Sequence, residues 1–149
     1  MKAIYSKVQE GLLLHMVHQF SEFADGRKDL APETEFLQVS ALKLPEGKTF
    51  KPHKHNIDKK ETTIAQESWV VLQGKVKAIF YDIDDQIIAE EILEKGDLSL
   101  TFRGGHNYLV LEDAIVYEFK TGPYYGQARD KSFIWKINGW KKRCSETPR

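Results

Sequence analysis

Between residues 67 and 119 the sequence keeps changing sides. Apolar and polar residues alternate in short runs, over 67–72, 75–81, 87–93, 98–102, 106–111 and 115–119. Turn residues separate the runs: Gln73-Gly74, Asp82 to Asp85, Glu94 to Asp97, Arg103-Gly104-Gly105 and Glu112-Asp113. A period of two is the signature of a strand with one buried face, because successive side chains point to opposite sides of the sheet. Short strands recurring at turn-bounded intervals predict an antiparallel sandwich or barrel. Gln73-Gly74 and Glu112-Asp113 are read as the turns of hairpins.

Upstream the pattern is less regular. Residues 35–44 alternate around Phe36, Leu37, Val39 and Leu42 and predict another strand, closed by the turn Pro45-Glu46-Gly47. Residues 49–55 are assigned to a further strand. The polar stretch 56–66 predicts an exposed loop able to serve as a lid, and 24–35 is rich in turn residues. The first 25 residues admit two readings. Leu12, Leu13, Met16, Phe20 and Phe23 recur at helical spacing, with Ser6 and Gln9 as a capping box. The run at 11–17 also reads as a buried strand, and the β character of the rest favours that. Beyond Gly122 the chain turns irregular, residues 132–137 fit a last strand or a short helix, and 141–149 form a polar tail.

The 149 residues suffice for one domain with a real core. Lysine and arginine (22) balance aspartate and glutamate (22), which argues against nucleic acid or an anionic membrane as the main partner. The one cysteine, Cys144, lies in the tail, so no internal disulfide is possible and a reducing cytoplasm is expected. No apolar run approaches the roughly 20 residues of a membrane span, and no signal peptide is read.

Residues two apart on a strand share a face. His53 and His55 therefore project together, as do Glu67, Trp69 and Val71, while His106 follows Gly104-Gly105. Imidazole and carboxylate groups aimed into one barrel would make a metal site.

Gly47, five residues, His53-x-His55, then Glu67, six residues and Gly74 resembles the first cupin motif; 96–106 resembles the second. The run Glu118-Phe-Lys120-Thr-Gly122-Pro123-Tyr124, followed by Asp130-Lys131, resembles the ending of the WbuC-type cupin-fold metalloproteins of surface-polysaccharide gene clusters. Three departures stand out. Eleven residues separate His55 from Glu67 where three or four are usual, the second motif lacks its proline, and Val110 stands where an asparagine is usual. The resemblance implies an all-β cupin (double-stranded β-helix, jelly-roll) barrel spanning about 35–120 of a single domain, with an N-terminal extension and an irregular C-terminal tail. It implies one divalent transition metal (Zn, Fe, Ni or Mn) held by His53, His55, Glu67 and His106, and a homodimer paired through edge strands.

An open N3O site can polarise a carbonyl or hydroxyl or activate water. The expected function is action on, or binding of, a small polar molecule, a sugar or sugar nucleotide of surface-glycan biosynthesis. Isomerase- or epimerase-like chemistry comes first and oxygen-dependent chemistry second; the alternative is a non-catalytic, metal-assisted binding module. In a metal-free reading His53 or His55 serves as general base and Tyr108 or Tyr117 as acid. Trp69, Tyr117, Lys120 and Arg27 are candidate ligand-binding residues. His15 and His18 lie outside both motifs and are not expected to be ligands.

Overall fold

The computed structural model describes residues 1–134. The protein is mostly β. Among the described residues there are eight strands: β1 (Lys2–Tyr5), β2 (Leu13–His18), β3 (Gly26–Asp29), β4 (Ser40–Lys43), β5 (Glu67–Tyr81), β6 (Ile87–Leu93), β7 (Leu98–Thr101) and β8 (Gly105–Lys120). One 3-10 turn (Phe20–Glu22) and one short helix, α1 (Gln127–Asp130), complete the elements. The main sheet runs β1-β2-β7-β5-β6, with β8 on the other side of β5, and all its pairings are antiparallel. Strands β3 and β4 form a separate two-stranded ribbon.

The two hairpins expected at Gln73-Gly74 and Glu112-Asp113 do not form. Residues 67–81 are one strand of 15 residues and 105–120 another of 16, paired with each other along their length. The pairing slips between Val71 and Gln73, between Gln73 and Lys75, and between Lys75 and Val76. Gly74 makes this possible. Its φ is +79°, and a Cβ there would lie 2.1 Å from the Asp113 carbonyl oxygen. Without a side chain, the two backbones cross where a bulge bends the ribbon. The slip also changes parity. Glu67 and Val71 are buried before it; Val76, Ala78 and Phe80 are buried after it. A one-residue slip exchanges the faces of a strand, so the alternation on either side of Gly74 belongs to two out-of-phase halves of one strand.

The bend folds the ribbon on itself. One core, with Val17, Val71, Val76, Ala78, Phe80 and Leu93, packs Trp69 and Val116 from one half with Tyr108 from the other. A second core lies on the opposite face of β2 and β7, where Met16, Leu98, Leu100 and Phe102 are covered by Leu30, Ala31 and Ala41. β2 is buried on both faces, which explains why the stretch is apolar apart from its two histidines; Leu13–His18 is strand, and the helical reading falls.

Other expectations are corrected. Residues 49–55 are not a strand; from Lys48 to Ala65 the chain has no helix or strand. Pro52 interrupts the alternation there, and Lys51, His53, Lys54 and His55 are all exposed, so no apolar face holds the segment to the sheet. Of 35–44 only Ser40–Lys43 is strand, and its partner Gly26–Asp29 lies in the stretch read as loop. Residues 132–134 are neither strand nor helix; 135–137 and the tail with Cys144 lie outside the described residues. Among the described residues no helix is long and apolar enough to cross a membrane.

Candidate functional site

Antiparallel register aligns a row of side chains on one face of the main sheet. His15 on β2 lies opposite Thr101 on β7, Thr101 opposite Glu67 on β5, and Glu67 opposite Lys120 on β8. Two residues along, Ser99, Trp69 and Glu118 form the next row. Directly opposed residues share a face, so both rows look the same way. The far half of the ribbon, folded over, lowers His106 and Tyr108 onto them. The Tyr108 ring stacks on Trp69 with centroids 3.9 Å apart and planes 9° from parallel. The Tyr108 hydroxyl and Ser99 Oγ are 2.9 Å apart.

The rows border a cavity of about 900 Å3, walled by Glu67, Trp69, Thr101, His106, Tyr108 and Lys120 and edged by Thr62 to Gln66 and by Tyr124 to Ile134. His106 Nε2 is 3.0 Å from Glu67 Oε1. Burial pushes the Glu67 carboxyl up, but the His106 ring nitrogen and the Lys131 and Lys120 ammonium groups outweigh it and hold Glu67 below the usual carboxylate range. An ionised carboxylate only accepts, so His106 Nε2–H is the donor. That leaves His106 Nδ1 buried with no hydrogen-bond partner. Lys120 Nζ donates to Glu118 at 2.9 Å and stands 4.3 Å from the centre of the Tyr124 ring; Trp69 Nε1 donates to the other Glu118 oxygen at 3.3 Å. Burial pushes the Tyr108 hydroxyl far up, so it keeps its proton at neutral pH.

Of the expected ligand set, the structure brings Glu67 and His106 together and leaves His53 and His55 apart. The latter lie exposed on the segment between β4 and β5, ring centroids 5.6 Å apart, with His53 Nδ1 2.9 Å from the Lys51 carbonyl oxygen. As placed, the four residues do not make a metal site: among the described residues no three His, Cys, Asp or Glu side chains stand close enough to hold an ion. Trp69, Lys120 and Tyr108 line the cavity. Tyr117 points to the opposite face and is exposed, and Arg27 is engaged on the β3–β4 ribbon with Asp29 and Ser40, so neither wall includes them.

Thr101, Ser99 and Glu118 are not among the residues the sequence offers as candidates, and His15 is set aside there as a non-ligand. Glu118 stood inside the WbuC-like ending. Ser99 and Thr101 were visible as polar residues alternating with Leu98 and Leu100. His15 sits in an apolar run and carried no signal of its own. No protein-family model, curated protein or solved structure matches the chain, so its cupin likeness rests on its own motifs.

Proposed function

We propose that this chain is a jelly-roll cupin that binds a small polar molecule, a sugar or sugar nucleotide of surface-glycan assembly, in the cavity beside Trp69. One observation carries the reading: an aromatic platform, the stacked Trp69 and Tyr108, shares a wall with the hydrogen-bonded pair Glu67–His106 and with Lys120. Sugar rings combine an apolar face with a rim of hydroxyls. A pocket with a flat aromatic surface and a few convergent polar groups is complementary to both. Calorimetric titration with glucose, galactose, N-acetylglucosamine and their uridine diphosphate forms tests it. Binding by at least one, weakened about tenfold (about 1.4 kcal/mol) in Trp69→Ala, is the expected result. Failure of the whole panel would end the sugar reading. Turnover of a bound nucleotide sugar would favour an isomerase or epimerase; binding without turnover would favour the non-catalytic module.

The metal belongs to the same proposal. His106 offers its unpartnered Nδ1 as one donor, and Glu67, bonded to Nε2 on the other side of the ring, becomes a second donor to the same ion only when that hydrogen bond is released. His53 and His55 join them only if their segment moves to the cavity. When bound, the ion would supply Lewis acidity to the ligand's oxygens. Elemental analysis of the purified protein beside a His53→Ala, His55→Ala double variant decides this. One equivalent of Zn, Fe, Ni or Mn in the parent, lost in the variant, is expected; retention in the variant would remove both histidines from the site.

The partner is a second copy. The outer edge of β8 has no strand beside it among the described residues, and Leu109, Val110, Leu111, Ile115, Tyr117 and Phe119 are exposed along it. That edge bends with the ribbon, so pairing with a copy engages one half of the strand, where Ile115, Tyr117 and Phe119 are exposed. An antiparallel pairing of β8 with its own copy sets this apolar stretch against itself and removes the free edge.

A further inference from the structure

His15 is fully buried, and nothing in the proposed function uses it. Its Nε2 is 3.0 Å from the Tyr81 carbonyl oxygen and its Nδ1 is 3.1 Å from Thr101 Oγ1. These two contacts fix the ring's protons. A carbonyl oxygen only accepts, so Nε2 must carry a hydrogen. Burial pushes the pKa of His15 down to about 4, so the ring is neutral near pH 7 and Nδ1 is a bare lone pair. The Thr101 hydroxyl must then donate to it. Gly104 lies against this arrangement: a Cβ there would stand 2.4 Å from the Tyr81 oxygen and 3.2 Å from His15 Nε2. The Phe80 ring, 4.6 Å away between centroids, packs beside the imidazole.

A hydroxyl has one proton and two lone pairs. With its proton given to His15, Thr101 turns only lone pairs toward the cavity it lines. Its cross-strand neighbour there is Glu67, whose Oε1 lies 3.0 Å from His106 Nε2 and whose carboxylate oxygens are acceptors. The floor between β7 and β5 is therefore a pair of acceptors. We propose that this floor binds a hydrogen-bond-donating group of the ligand, a hydroxyl or an ammonium, and that His15 is the positioning residue that gives Thr101 its acceptor polarity. The inference deepens the cavity reading above and rests on it.

Two measurements test it. The first needs no ligand: nitrogen-15 NMR of the histidine side chains between pH 6 and 8. A neutral His15 protonated at Nε2 is expected. The Nδ1–H tautomer, or a charged ring at pH 7, overturns the proposal whatever the cavity binds. The second is titration of each hexose of the panel beside its deoxyfluoro and deoxyamino analogues, in the parent and in the near-isosteric Thr101→Val. Fluorine cannot donate. At one ring position the hydroxyl and amino forms should bind at least tenfold more tightly than the fluoro form, and Thr101→Val should reduce that ratio below about threefold. An amino form favoured over hydroxyl identifies the ammonium; the reverse identifies the hydroxyl. His15→Phe should likewise lower the ratio by freeing the Thr101 proton. If a hexose binds and shows no preference, the donor assignment fails while the cavity reading stands. If none of the panel or its analogues binds, the cavity reading falls and takes this inference with it.

Discussion

His15 and Glu67 sit two strands apart and respond to pH in the same direction for different reasons. The unfolded chain takes up a proton on His15 near pH 6.5, the folded protein only near about 4, because protonation there places a charge in the core. The stability this histidine contributes is fully present above pH 6.5 and is lost as pH falls through that interval, by at most about 3 kcal/mol. Glu67, held below its ordinary pKa, likewise contributes stability above its unfolded value that is lost at lower pH. Chemical denaturation at pH 7.5, 6 and 4.5 should show stability falling at each step, and His15→Phe should flatten the slope most between the last two. A parent protein equally stable at 7.5 and 4.5 would contradict the burial of a neutral His15. The cupin resemblance names Glu67 and His106 among four metal ligands, with His53 and His55. The sequence could not show His15, since a histidine in an apolar run looks the same whether it is packed idly or bonded on both nitrogens.

The central element is the ribbon of β5 and β8, and its behaviour depends on Gly74. Alanine there would press its Cβ against the Asp113 carbonyl oxygen and hold a positive φ. Gly74→Ala should cost about 3 kcal/mol or more, read as a drop in the denaturant midpoint, since neither backbone can yield without undoing the bulge. A cost below about 1 kcal/mol would mean that the strands separate at that point. The strands themselves were legible from alternation: 87–93 appears as read, and 98–102 to within one residue. What alternation hides is whether a glycine between two runs reverses the chain or bulges it, because both demand the same positive φ. The missing strand at 49–55 is a different failure. His53 and His55 do alternate with Lys54, but no apolar side chains between them press that segment onto a sheet.

At the scale of the molecule, the free edge of β8 and the folded ribbon lead to separate expectations. Tyr117 and Phe119 are 59% and 53% exposed on the outer face of β8, away from the cavity. A Tyr117→Lys, Phe119→Lys double variant should sediment as a monomer where the parent sediments as a dimer, and should keep the parent's ligand affinity. A parent that is monomeric at high concentration would end the edge-pairing idea. The folded ribbon bears on time. Trp69 and Tyr108 lie 39 residues apart in the chain, and His15 and Thr101 lie 86 apart. Contacts of such separation close late, because loop entropy must be lost before they form. The cavity therefore has no local precursor. During refolding, binding competence should appear only in the last kinetic phase, together with the signal of the Trp69–Tyr108 stack. Because no part of the site outlives the fold, a bound ligand should slow hydrogen exchange at the most protected amides of β5 rather than only at the cavity rim.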